Sequence, residues 1–600
     1  MPTERATICQ KLQLQNLKPR HQLTRQPLIR RLPLPLLNVN AYNFKAARMF
    51  HEGRVWFFTA QTWNTEPLDF HLRFMGTVPN ADDAPTGVAY LCRGDEIPTQ
   101  DITQPEFDFI LSHDKAHKCP EFDPLTQCGP ETVHSCLPAV SGRTRVKFIS
   151  SEDETKYDYN EIIHKSILFY EAQRSGKLPA GNPIPWRGDS GLKDGCDVGH
   201  DLTGGWYDAG DNVKFGFPMA YSATVLAWGI IEFNEAYFDS GDLEAARESL
   251  KWVTDYFVKA HTSANELYVQ VGNPSDDHGQ WTRPEDIRKV RQSYKIDENN
   301  PGSEVAAETA AALAAASIVF RDVDQAYADD LILHARLLYK FADDFRGNYH
   351  NSVPSVRNFY KSWNGYNDEL LWGAMWLYKA TGEVSYLNTV ENRYDQYGAN
   401  SVPGEFSWDN KYAGVQILLA QSTQKSKYKN AVEAFVNSAK NIGTTPQGLT
   451  WKIQWGPNRY AANFAFISAM AAKLESESAK KSNYIAYSKK QINYLLGDNE
   501  IGKSYVIGHT SASPKRPHHR SSSCPAWSSL PAPGCSWNDY NMAGNNPHIL
   551  YGALVGGPNK NGQYTDDRKD YISNEVAVDY NAGFQSTVAA LQYFALNGAL

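Results

Sequence analysis

The chain has 600 residues, 42% of them hydrophobic, 12% aromatic and 21% charged, with a formal net charge of -8 and a pI near 6.1. That length is too great for one small core and predicts two domains, or one large domain with an extension. The mild acidity sets up no field to attract nucleic acid, and no uninterrupted apolar run reaches the roughly 18 residues of a membrane span.

The first forty residues are basic and leucine-rich, without the continuous apolar segment and small-residue cleavage site of a secretory signal. Residues 1–40 therefore read as a basic, disordered extension. From about Ala46 to Cys92 the pattern is that of strand. Val55-Trp56-Phe57-Phe58 is a compact apolar run, and Phe70, Leu72 and Phe74 alternate with His71 and Arg73. Residues 41–95 read as a small β-rich region. Residues 96–155 are acidic, with prolines and cysteines but no periodicity, and read as a linker.

Beyond Tyr157 the chain turns helical. Helical periodicity predicts about twelve helices: 157–175, 218–238, 243–260, 303–319, 324–345, 367–381, 383–398, 409–423, 426–440, 458–475, 479–496 and 577–597. The run from Val305 to Ala316 has small residues nearly all round, which predicts a buried helix packed closely by its neighbours. Helices joined alternately by short and long loops suit a barrel of helix pairs with the long loops at one end. No βαβ alternation is present, which disfavours a sheet-based enzyme fold.

The 8 cysteines show no zinc-site spacing. Cys524 and Cys535 bracket a Pro/Ser/Gly-rich loop that reads as disulfide-closed. Cys119, Cys128 and Cys136 lie where further bridges are plausible. An oxidising, extracellular setting follows, at odds with the lack of a signal.

The long loops carry the polar motifs. Gly204-Gly205-Trp206-Tyr207-Asp208-Ala209-Gly210-Asp211 sets two carboxylates three residues apart on a glycine-rich turn, and Glu575 precedes an apolar helix far away in sequence. Glycosidic hydrolysis needs one carboxyl kept protonated and one kept ionised, on opposite sides of a sugar. The competing reading makes Asp208 and Asp211 turn and cap residues, and Glu575 an acid at a helix N-terminus.

Pro517-His518-His519-Arg520 gathers two imidazoles and a guanidinium. Trp206, Trp281, Tyr360, Trp363, Trp455 and Tyr460 could line a groove, since pyranose faces stack on rings, although each alone also fits a core. Asn364-Gly365-Tyr366-Asn367-Asp368-Glu369, joined by Asp409, puts hard oxygen ligands on a tight turn. That suits calcium, and equally suits a helix N-terminus with acids in its first turn.

Residues 155–600 resemble glycoside hydrolase family 9, the cellulase family of mostly endo-β-1,4-glucanases. The resemblance runs through 202–211, then Pro301 to Ala311, Ser362 to Glu369, the Pro-His-His-Arg loop, Leu550 to Pro558 and Tyr571 to Asn581. The Cys-bracketed insert is similar to that of animal members. The resemblance implies an all-α (α/α)6 barrel over 156–600 and an inverting mechanism. Glu575 would be the general acid and Asp211 the general base, with Asp208 assisting.

It also implies sugar contacts from Trp206, His278, Tyr360, Trp363, Trp455, Arg459, Tyr460, His518, Arg520 and Tyr580. A structural calcium would sit on Asn364, Gly365, Asp368, Glu369 and Asp409, with no cofactor for catalysis itself. The expected partner is cellulose or a related β-glucan, bound by a secreted monomer.

Three positions depart from the family pattern: Asn212 stands where many relatives carry His, Gln280 where a second Trp is common, and Gly404 where some bacterial members have a groove Trp. The region 41–95 faintly resembles the latter half of a cellulose-binding module. The rival readings are a catalytically silent sugar-binding protein and a polysaccharide lyase of similar fold.

Overall fold

The computed structural model describes residues 155–527 and 534–600, together with six strands nearer the N-terminus. Contacts divide the chain into two units, Met1–Ser151 and Glu152–Leu600.

In the first unit the strands form three antiparallel pairs: Leu37–Ala41 with Leu72–Gly76, Phe44–Phe50 with Val55–Ala60, and Gly87–Tyr90 with Thr99–Ile102. They extend past both ends of the 41–95 region. The expectations for residues 1–36 and for Cys119, Cys128 and Cys136 lie outside the described residues.

Among the described residues of the second unit, the twelve longest helices lie close to the expected bounds, with shorter helical turns in the loops between them. Six are buried on nearly every side: α2 (Gly216–Glu232), α4 (Ser303–Phe320), α6 (Asn367–Thr381), α8 (Tyr412–Thr423), α10 (Pro457–Leu474) and α12 (Val578–Leu596). Each inner helix touches the next, and α12 returns to α2, so the ring closes.

The other six are α1 (Tyr159–Ala172), α3 (Leu243–Ala260), α5 (Gln325–Asp344), α7 (Val384–Arg393), α9 (Ser426–Ile442) and α11 (Ser478–Leu496). Most bury one stripe and expose the other, as amphipathic helices of an outer layer do. Alanines carry the inner packing. In α4, residues 305–316 are all buried, and their mostly small side chains let α2, α5 and α6 press against its backbone. This helix has the length and composition of a membrane span, yet 94% of it is buried inside the unit.

The connections fix where chemistry can occur. The link from an inner helix to the next outer one is short, as in 382–383 and 424–425. The link from an outer helix to the next inner one is long: 173–215, 261–302, 345–366, 394–411, 443–456 and 497–577. All six long links therefore deliver the chain to the N-terminal end of an inner helix, and those ends lie together at one face of the ring.

Candidate active site

Every proposed site residue lies on one of these six links or in the first turn of an inner helix. Asp208 and Asp211 come from the first link, His278 from the second, Tyr360 and Trp363 from the third, and Asp409 from the fourth. Trp455 comes from the fifth, and His518, Arg520 and Glu575 from the sixth. Arg459 and Tyr460 open α10, and Tyr580 lies in the first turn of α12.

Backbone hydrogen bonds stitch the distant segments into one floor. The Val578 N–H donates to the Asp208 carbonyl at 2.9 Å, and the Arg520 N–H donates to the Gly210 carbonyl at 3.0 Å. The His518 N–H donates to the Asn574 carbonyl at 3.0 Å, and His518 and Glu575 form a parallel bridge. Gly210 allows the approach, since a Cβ there would lie 2.0 Å from the His518 carbonyl oxygen.

The carboxyls differ in their surroundings. Asp208 is buried. Its Oδ2 accepts from the Tyr360 hydroxyl at 2.6 Å, while Oδ1 has no partner among the described residues. Burial, then the charge of Asp211, holds its proton affinity well above the ordinary carboxylate range. Asp211 is partly exposed, and its Oδ2 lies 2.9 Å from His278 Nε2.

Burial tends to lower His278, but the hydrogen bond to Asp211 and its charge outweigh this and raise it. Glu575 is half-buried, and removal from solvent followed by the charge of Asp211 pushes its carboxyl up to about 8. One acid is thus set to keep its proton near neutrality, beside another engaged by an imidazole.

The remaining side chains sort by exposure. Trp363 is 73% exposed with Lys361 over its ring, and Trp455 is 45% exposed. Arg459 is buried against Asp579 at 2.7 Å and lies over the rings of Tyr460 and Tyr580. Arg520 pairs with Asp277 at 2.6 Å, not with one of the three site carboxyls. His519 turns away to Gln173, whereas His518 uses Nδ1 on the Arg568 carbonyl.

Trp206 does not fit the expectation of a sugar contact. Its ring is fully enclosed, 4.8 Å from that of Tyr170, because the turn needs an apolar plug between it and α1. Trp281 is also buried, its indole N–H donating to Ser523 Oγ at 3.0 Å.

The loop expected to hold calcium turns at Gly365, whose φ of +88° few other residues tolerate. Asp409 accepts from the Trp363 N–H at 2.9 Å and from Asn364 Nδ2 at 3.2 Å. Lys411 contacts Glu369 at 3.0 Å and Glu308 at 3.4 Å, all fully buried.

Burial first of all raises Asp368 and raises Glu369 strongly, and it pushes Asp409 up to about 7. Asp368 Oδ1 and Glu369 Oε2 have no hydrogen-bond partner among the described residues. One ammonium among so many buried carboxyls leaves room for a further cation. Among the described residues, however, the only three His, Cys, Asp or Glu ligand atoms within 4.8 Å of one another are those of Asp211, Asp277 and His278.

A family model described as Glycosyl hydrolase family 9 matches residues 159–588. The chain belongs to glycosyl hydrolase family 9. It is 48% identical over 459 residues to endoglucanase A of Bacillus pumilus, covering 75% of this chain and 68% of that one. The structure of an endoglucanase from the termite Nasutitermes takasagoensis superposes with a TM-score of 0.71 at 53% identity, covering 74% of this chain and all of that one. Endoglucanase CelQ of Clostridium thermocellum, solved with cellobiose and cellotriose, gives 0.66 at 34% identity over 73% and 71% of the two chains. The family 9 chain is thus a glycoside hydrolase and a cellulase, an endo-β-1,4-glucanase.

The three departures from the family pattern have local explanations. Asn212 is buried and donates to the Thr282 carbonyl at 2.9 Å, fastening the first link to the second. Gln280 is exposed and bonds the Asp276 carbonyl. The Gly404 carbonyl accepts from Lys452 Nζ at 2.8 Å.

Sequence reasoning passed over Asp277 and Asp579, the partners of Arg520 and Arg459. Each immediately precedes a singled-out residue, His278 or Tyr580, and that adjacency was the available signal. The disulfide Cys524–Cys535 forms as expected, with Cα atoms 5.3 Å apart, and Cys196 is an exposed free thiol.

Proposed function

We propose that this endo-β-1,4-glucanase cleaves its polymer by single displacement, with inversion at the anomeric carbon. Glu575 donates its proton to the leaving oxygen. Asp211 takes a proton from the attacking water, and Asp208, held by Tyr360, keeps that water in place. The observation that carries this reading is the backbone packing that brings the two segments together: His518 bridges Glu575, and its carbonyl lies against Gly210, the neighbour of Asp211. The charge of Asp211, after burial, adds to the raised proton affinity of Glu575.

Cellulose or a related β-1,4-glucan is the substrate in this reading. Trp363 and Trp455 offer exposed ring faces, the buried Tyr460 and Tyr580 support Arg459 from beneath its guanidinium, and His278, His518, Arg459 and Arg520 offer polar contacts. The N-terminal strands belong to a β-rich carbohydrate-binding region, and the enzyme acts as an extracellular monomer. The Cys524–Cys535 bridge supports an oxidising compartment.

Calcium on Asn364, Gly365, Asp368, Glu369 and Asp409 would neutralise buried carboxylates and tie the third link to the fourth. It takes no part in bond cleavage.

The direct test is turnover of carboxymethyl-cellulose, read as new reducing ends. Glu575→Gln and Asp211→Asn should each lose at least about 99% of the rate while keeping their circular dichroism, since each removes a proton-transfer group. Wild-type rates in either variant would overturn the assignment.

A further inference from the structure

The aromatic side chains near His518 continue past the residues singled out above, onto the segment that follows the Cys524–Cys535 bridge. Tyr571 lies between Trp455 and His518, with ring centres 5.6 Å and 5.9 Å away. On its other side His518 meets Tyr540 at 6.2 Å and the buried Trp281 at 5.1 Å. Trp537 closes the series, 5.3 Å from Tyr540 and 6.0 Å from Trp281, with 45% of its surface exposed. Exposed rings at Trp455, Tyr571 and Trp537 therefore mark a track running through His518, directly beside Glu575.

The ground under Trp537 is built to hold it still. Cys524 and Cys535 pack with Trp281 in one small apolar cluster. Ser536 and Asp539 form a reciprocal capping box around Trp537–Asn541. Arg568 is buried, and its guanidinium donates to the carbonyls of Tyr540 at 3.3 Å, Met542 at 2.8 Å and Gly544 at 2.9 Å. Its own carbonyl accepts from His518 Nδ1 at 2.8 Å, so the same residue fixes both the platform and the imidazole. Trp537 packs on Trp281 and Tyr540 and still keeps 45% of its surface open to solvent, so a ring held in a fixed place remains free to meet a ligand.

We infer that Trp537 is an additional sugar-stacking subsite, which takes a glucosyl unit of the β-1,4-glucan beyond those seated around His518. The occupant follows from continuity: the track starts at the cleavage site, and a linear polymer of apolar-faced pyranose rings is what that site accepts. The inference rests on the glucanase reading and deepens it by assigning a residue that reads chain length. Pre-positioning by the disulfide and the capping box means little ordering entropy is lost when a sugar docks.

The test compares binding of thio-linked cellohexaose and cellotriose, which resist hydrolysis, to the full chain by titration calorimetry. The wild type should bind the hexamer more tightly than the trimer. Trp537→Ala should weaken hexamer binding by about three- to tenfold, the size of one aromatic contact, and leave trimer binding unchanged. Trp537→Phe should restore most of the loss, which a disturbed fold would not allow. An unchanged hexamer-to-trimer ratio in Trp537→Ala would overturn the subsite while leaving the glucanase reading intact. A wild type that binds neither oligosaccharide would overturn both.

Discussion

The Tyr360 hydroxyl lies 2.6 Å from Asp208 Oδ2 and supplies the hydrogen bond seen on that buried carboxyl. Tyr360 is itself held from behind, its carbonyl accepting from the Tyr349 hydroxyl. Removing the phenol oxygen would leave both Asp208 oxygens without a protein donor, in a site where an unmet polar group costs about 1–3 kcal/mol. Tyr360→Phe should therefore lower kcat by about 10- to 100-fold with a smaller change in KM. Steady-state kinetics on soluble cello-oligosaccharides would show it. A kcat within twofold of wild type would mean that Asp208 is not positioned through this bond.

Glu575 ties activity to pH and to stability with a definite sign. Its folded value of about 8 lies above the ordinary carboxyl value, so the folded state holds a proton that the unfolded state has released. Stability then falls as pH rises from roughly 4.3 towards 8, because ionising the unfolded state favours it. Glu575→Gln removes that slope, so the variant's Tm should gain on the wild type between pH 5 and pH 8. Equal differences at the two pH values would contradict the raised carboxyl. In the wild type kcat/KM should decline through about pH 8, as the acid loses its proton.

Gly210 is needed for contact distance, not for an unusual turn. A methyl there would sit 2.0 Å from the His518 carbonyl oxygen, so the aspartate link and the His518 link would have to separate. Gly210→Ala should lower the Tm by several degrees and cut activity more than tenfold, the usual range for overpacking a closed site. Calorimetry and a rate assay suffice, and a variant with normal melting and normal rate would show that the two links are loosely joined.

Much of this was legible in the chain. Twelve helices follow from periodicity because each inner helix is a long small-residue or apolar run and most outer helices are striped. The three site carboxyls stood out in the chain through the glycine-rich Gly204–Asp211 turn and through Glu575 ahead of an apolar helix, a pattern that turn and cap positions share. Trp206 was misread because exposure is set by what packs above a residue, here Tyr170 on α1, and no local pattern records that. Asp277 and Asp579 went unassigned because their partners, Arg520 and Arg459, lie 243 and 120 residues away.

Calcium is tested through stability instead of rate. Asp368, Glu369 and Asp409 are buried acids with too few cationic partners, and a divalent ion bound only to the folded state would stabilise it in proportion to RT ln(1 + [L]/Kd). Saturating calcium at about 100 times its Kd would contribute about 2.7 kcal/mol. Chelation should lower the Tm by a few degrees, and Asp409→Asn should remove most of the difference between calcium and chelator. A wild-type Tm indifferent to both would leave Lys411 as the site's only cation.

The stereochemical outcome is the most direct test of the proposed single displacement. In a single displacement, water attacks the face opposite the leaving oxygen, so the acid and base carboxyls must be about 6.5–9.5 Å apart with a water between them. A retaining pair stands only about 5–5.5 Å apart, and its second carboxylate attacks the sugar directly. Asp211 already gives one oxygen to His278 at 2.9 Å, which suits a base that steers a water better than a nucleophile that must reach carbon. The first sugars released from a β-1,4-glucan should therefore carry the α configuration and mutarotate afterwards. Proton resonance spectra within the first minutes of hydrolysis distinguish the anomers, and initial β product would replace the water-activating role of Asp211 with a covalent one.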